Sequence, residues 1–168
     1  FLTDIPRQEI DMGQTTFSGP VRSERGFTAV GSTAVVDITA ETTLTYADHV
    51  GRIMEINDAD GAVTLPSAST ETIGAKYTFF VGTAATDLDI KTDGTDKFVG
   101  NLVLAAAASS QSRGFAPASS NDVISMNGST TGGLVGSYVE ITAIAADEYL
   151  VTGTLLGSGT LATPFADS

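Results

Sequence analysis

Between residues 49 and 104 the chain alternates short apolar runs with Asp-Gly, Pro-Ser and Gly-rich turns, and nowhere does it hold a helical period over a useful length. Such a pattern builds strands of about four to eight residues, bounded by turn formers. Residues 52–57 (RIMEIN) and 62–65 (AVTL) flank Asp58-Ala59-Asp60-Gly61, where Asp supplies side-chain capping and Gly positive φ, so these two runs are expected to pair as a hairpin. Pro66 ends the second run because it has no N–H for a ladder. Residues 76–82 (KYTFFVG) form the most apolar run and are expected at the centre of a sheet. In residues 86–91 (TDLDIK), Leu88 and Ile90 alternate with Asp87 and Asp89, which predicts one buried face and one acidic, wet face.

The same reading extends outward. Residues 34–39 and 43–46 are strand-like and closely connected, and residues 97–104 and 122–127 are each strand-like as well. Residues 105–108 are expected as a small-residue stretch lying against a neighbouring surface. Residues 137–145 and 148–156 flank Ala146-Asp147 and predict a second hairpin. Turn signals recur at roughly the 8 to 12 residue spacing of a sandwich or barrel. The expected fold is therefore all-β, an antiparallel β-sandwich of jelly-roll type.

At 168 residues the chain suits one domain and needs neither disulfides nor a metal to build a core. Residues 1–26 read differently from the rest: Pro6, Gly13, Gly19, Pro20 and Gly26 interrupt any period, and three of the eight basic residues lie there. We expect an extended arm over residues 1–26, a β-sandwich domain over 27–156 and a tail over 157–168. The arm carries Leu2, Ile5, Met12 and Phe17, which docking onto a partner would bury, together with Arg7, Arg22 and Arg25. These seven are the expected partner contacts. Leu156, Leu161 and Phe165 are the expected contacts between copies.

Twenty acidic residues against eight basic ones give a net charge of -12, a field that repels phosphate backbones and anionic lipid. Neither nucleic acid nor a membrane is expected as a partner. No apolar run reaches the ~18 residues of a membrane helix, and no secretory signal is recognised. The chain opens on Phe1, which suggests that a longer precursor, an initiator or a tag preceded it. The lack of cysteine removes thiol catalysis and thiolate metal sites.

Reactive side chains are sparse. His49 is the sole imidazole, in the turn Asp48-His49-Val50-Gly51, and no nucleophile elbow accompanies it. Asp87 and Asp89 project from one face of a strand, with backbones about 7 Å apart. Paired carboxylates could serve glycoside hydrolysis, but that work needs one buried carboxyl, and these are expected on the wet face. Asp58, Asp60, Asp93 and Asp96 lack calcium-loop spacing and are explained by turn chemistry. The segments 128–133 and 153–159 have no phosphate-loop lysine and read as flexible corners. No catalytic residue, metal or cofactor is expected.

One resemblance adds to this reading. Gly51-Arg52-Ile53-Met54-Glu55-Ile56-Asn57, then Val63-Thr64-Leu65-Pro66, then residues 73–82 (IGAKYTFFVG) resemble a recurring β module of tailed-bacteriophage virion proteins. That module occurs in capsid decoration (cement) proteins, head fibres and some tail proteins, and residues 137–164 have a similar character. The resemblance implies a non-enzymatic virion protein on the capsid exterior, forming a homotrimer that clamps the major capsid protein. The alternative it implies is a head- or tail-fibre domain that binds host surface polysaccharide.

Overall fold

The computed structural model describes residues 31, 34–106 and 110–168. The expected arm over residues 1–26, with Leu2, Ile5, Arg7, Met12, Phe17, Arg22 and Arg25, lies outside the described residues. In chain order the elements are β1 (Val35–Ile38), β2 (Thr42–Thr43), α1 (Tyr46–His49), β3 (Ile53–Ile56), β4 (Ala62–Thr64), β5 (Lys76–Val81) and β6 (Leu88–Lys91). Then come β7 (Lys97–Gly100), β8 (Leu102–Ala106), β9 (Gln111–Phe115), β10 (Val123–Met126), β11 (Tyr138–Ala145), β12 (Glu148–Gly157) and β13 (Phe165–Ala166). The protein is all-β, as its turn-punctuated sequence predicts.

The pairing departs from an antiparallel jelly roll. One sheet runs β1-β3-β5-β11-β12-β8-β9, with β7 also on β12, and the other runs β13-β10-β6-β4-β2. β1, β3 and β5 are parallel neighbours in the first sheet, and β2, β4 and β6 are parallel neighbours in the second. From β1 to β6 the chain thus crosses from sheet to sheet at every connection, completing three stacked coils. The expected hairpin of residues 52–57 with 62–65 is therefore not formed. β3 lies in one sheet and β4 in the other, and Asp58 to Gly61 is a corner between them. A four-residue Asp/Gly connection serves a hairpin or a corner equally well, and the preceding coil offers β3 a parallel partner.

Stacking in register places like positions over one another. Val36, Met54 and Phe79 align on the inner side of the first sheet, as do Ile38, Ile56 and Val81. In the second sheet Val63 aligns with Ile90. All of these but Val36 are buried, and Val36 packs against them from a partly exposed position. The corners continue the ladder: Asn57 N donates to Ile38 O at 2.8 Å, and Gly82 N to Ile56 O at 2.9 Å. Inner side chains of both sheets merge into one buried cluster.

After β6 the pairing becomes mostly antiparallel. The hairpin expected around Ala146-Asp147 is present as β11 and β12, with Asp147 at φ 60° in the turn. β5 is the interior strand that its apolar run predicts, parallel to β3 and antiparallel to β11. Part of the expected small-residue stretch, Ala105 and Ala106, belongs to β8, paired with β12 and β9. The expected tail is built into the domain, because β13 pairs with β10. Gly133 is closely packed: a Cβ there would meet the Cβ atoms of Ala85 and Met126 at 2.7 and 2.8 Å.

β7 and β8 both lie parallel to β12, and Gly100 closes the first of them. Its φ of +106° is unfavourable for L side chains, and a Cβ would sit 2.3 Å from Val151 O, a backbone atom that cannot swing away. Gly100→Ala is expected to destabilise the protein by at least about 2 kcal/mol. Chemical denaturation of the two proteins checks this, and an unchanged midpoint would refute the role given to Gly100.

Candidate interaction surface

The outward side of the parallel ladder carries the most distinctive exposed chemistry of the described residues. In register, Val35 lies beside Ile53, and Asp37 beside Glu55 and then Phe80. Tyr138 of β11 lies next to Phe80 across the antiparallel pairing. Period-2 alternation accounts for the placement, because Met54 and Ile56 take the core side and leave Ile53 and Glu55 outward. Val35, Ile53 and Tyr138 remain 40, 44 and 40% exposed. Together with Glu55 and the half-buried Phe80 they line a shallow groove of about 360 Å³.

Carboxylates border this groove. Glu140 is ion-paired with Lys76 at 2.5 Å. The hydrogen bond from Lys76 chiefly holds the Glu140 carboxyl below its usual range, and its counterpart raises the ammonium of Lys76. Burial and then the hydrogen bond to Glu140 push the Tyr138 phenol up. Asp37 Oδ1 accepts from Asn57 Nδ2 at 2.9 Å. Asp37 and Glu55 sit side by side on neighbouring strands, and neither is ion-paired among the described residues.

The residues weighed from sequence fall elsewhere. His49 closes α1, where its Nδ1 accepts from the backbone N–H of Thr45 at 3.0 Å, so the imidazole serves a local turn. Asp87 is exposed just before β6, while Asp89 is half-buried, with β4 and β10 on either side. Its Oδ1 is shielded and has no hydrogen-bond partner. Among the described residues no group of three or more acidic or imidazole side chains could hold a metal ion. No helix among them is long and apolar enough to cross a membrane. Leu161 and Phe165, expected as contacts between copies, are 7% and 6% exposed and belong to the core of the single chain. Leu156 is half-buried on β12.

Two buried polar groups were not singled out for burial by sequence reasoning. Asp96 is fully buried, and its Oδ2 accepts from Ala68 N at 2.7 Å. Tyr149, also fully buried, donates to Pro66 O at 2.5 Å, and Tyr46 donates to Ser67 O. Three side chains distant in sequence thereby clamp the segment Pro66-Ser67-Ala68 after β4. Burial drives the Tyr149 and Tyr77 phenols well above their usual range. It also raises the carboxyl of Asp96, with Asp93 and Asp147 adding to the shift, although the Ala68 N–H and Lys97 oppose it. Asp93 accepts from Thr95 N at 2.9 Å, as its turn position predicts. The Pro66 that stops β4 was the available signal for the clamp, since a chain leaving a strand at Pro needs other hydrogen bonds to fix its course.

Asp122 is the opposite case. Burial opposes its ionisation, yet hydrogen bonds from Lys97 Nζ at 2.8 Å, Ser168 N at 2.8 Å and Ser168 Oγ at 3.2 Å outweigh that effect and hold its carboxyl low. This group ties the segment around β13 to β7. No family model, curated protein or solved structure matches the chain.

These two carboxyls give opposite pH dependences. The raised Asp96 binds its proton more tightly folded than unfolded, so its contribution is full below the unfolded value near 3.9 and is lost as pH rises through the folded value. Asp96→Asn keeps an acceptor for Ala68 N–H and removes the charge. It is expected to leave the urea midpoint nearly unchanged at pH 4 and to raise it at pH 7; a lower midpoint at pH 7 would contradict the reading. Asp122, held low, contributes fully above about 3.9 and loses that contribution as pH falls through its folded value. Asp122→Asn should lower stability at pH 7 and flatten the acid limb of the same profile. An unaltered acid limb would remove Asp122 from the account.

Proposed function

We propose that this chain is a virion structural protein, a capsid decoration or cement protein that binds the outer surface of the major capsid protein shell as a homotrimer and stabilises it. The observation that carries the reading is where the resembling residues fall. The stretch around Arg52 to Asn57 supplies β3, and residues 73–82 supply β5, parallel neighbours beneath one apolar outward face. A rigid sheet that presents an apolar groove beside carboxylates suits adhesion to a protein surface. In a particle bearing many copies, modest individual contacts add up through avidity.

In this reading the arm over residues 1–26 reaches across the shell, with Leu2, Ile5, Arg7, Met12, Phe17, Arg22 and Arg25 as its contacts. Deleting residues 1–26 is expected to abolish occupancy on purified heads, counted by cryo-electron microscopy, while circular dichroism retains the β spectrum. Full occupancy by the shortened protein would overturn the arm assignment, and a monomer in analytical ultracentrifugation of the full chain would overturn the trimer. The fibre-domain alternative, binding host polysaccharide, draws support from Tyr138, an exposed aromatic beside Glu140. Glycan-array binding lost in Tyr138→Ala, with no copies on heads, would favour it.

A further inference from the structure

The two strand paths of the described residues end at β1 and β9 in the first sheet and at β13 and β2 in the second. An end strand leaves a row of backbone N–H and C=O groups unpaired, ready to accept a further strand. β13 and β2 are two residues long, too short to hold one. β9 is the longest of the four, and its Gln111, Ser112, Arg113 and Gly114 are all exposed.

The exposure is unusual for one side of this strand. In register, Arg113 lies across from Leu104 and Gln111 across from Ala106, both of which are buried, so the core stops at β8 and the inward side chains of β9 overhang it. Under the overhang Gln111 and Arg113 meet Thr160 and Leu161 along a groove of about 430 Å³. No carboxylate lines it, although the chain carries twenty acidic residues. The Arg113 guanidinium is held 5.0 Å from the centroid of the Phe115 ring and has no ion-pair partner among the described residues.

A charge on an edge strand can serve only to deter pairing between identical copies. The same charge attracts a strand of opposite sign, and the groove beside it has room for that strand's side chains. We propose that β9 takes up an extended acidic peptide segment of a partner protein as an added strand, with a carboxylate opposite Arg113. Backbone pairing along the edge supplies the affinity, and Arg113 selects the acidic residue because side chains directly across from one another share a face. This seat is at the far end of the sheet from β1 and shares no residue with the groove of Val35, Ile53, Phe80 and Tyr138. It stands whether or not the chain binds a capsid.

Backbone amide exchange of the full chain, followed by NMR with a capped hexapeptide of alternating glutamate and valine, tests the assignment. Saturating peptide is expected to slow exchange at least about tenfold at the amides of β9 that point away from β8. Arg113→Gln, or a peptide with glutamine for glutamate, should weaken binding at least about tenfold. A peptide of the same charge with proline for valine should not bind, because it cannot complete the ladder. Unchanged exchange along β9 would overturn the proposal, as would equal binding of the glutamine or the proline peptide. Shifts at Arg113 without slowed β9 amides would also overturn it, by reducing the site to a contact for any anion, such as an acidic saccharide. Slowed β9 exchange that needs no peptide and grows with protein concentration would instead assign the edge to a second copy.

Discussion

Register between stacked coils is the constraint on which the rest of the structure depends. Each crossing from one sheet to the other sets the next strand parallel to its predecessor one coil earlier, so Ile38, Ile56 and Val81 fall into one inner row and Val36, Met54 and Phe79 into another. A slip by one residue would turn every one of these side chains to solvent and bring Ile53, Glu55 and Phe80 inside. The buried rows and the outward groove are thus two sides of one alignment. Corner hydrogen bonds such as Asn57 N to Ile38 O fix that alignment where the strands end.

Away from the ladder, buried polar groups take over the positioning. Asp96, Tyr46 and Tyr149 hold the segment after Pro66, and Asp122 with Lys97 and Ser168 holds the segment around β13. These two clusters use burial with opposite electrostatic results. Asp96 has one backbone N–H for its charge, so desolvation wins, whereas Asp122 has an ammonium and two further donors, so ionisation wins. In this pair the neighbours of a carboxylate, more than its depth, decide what it contributes.

Much of the element inventory was legible in the sequence, and the pairing was not. The alternation of Leu88 and Ile90 with Asp87 and Asp89 named the buried face of β6 correctly, and Ala146-Asp147 marked the β11–β12 turn. The corner at Asp58 to Gly61 misled, because its composition is that of a hairpin loop and local sequence does not record whether the next strand doubles back or crosses over. Leu161 and Phe165 looked like a loose apolar tail, since nothing local to them signals that β10 has a free edge to receive β13. The apolar groove had no local signal either: Val35, Ile53, Phe80 and Tyr138 span more than a hundred positions of the chain and meet only through register.

By itself the sequence determined that the chain is all-β, that residues 76–81 form an interior strand of a sheet, and that the chain holds a single imidazole and no thiol. Period-2 patterning and turn residues are local, so one chain segment suffices to read them. Only the tertiary structure decided which strands are partners, that six of the eleven pairings among the described residues are parallel, and that Asp96 loses its water while Ile53 keeps it. Those outcomes depend on the side chains that stacking brings together from distant parts of the chain, and burial is a property of that assembly.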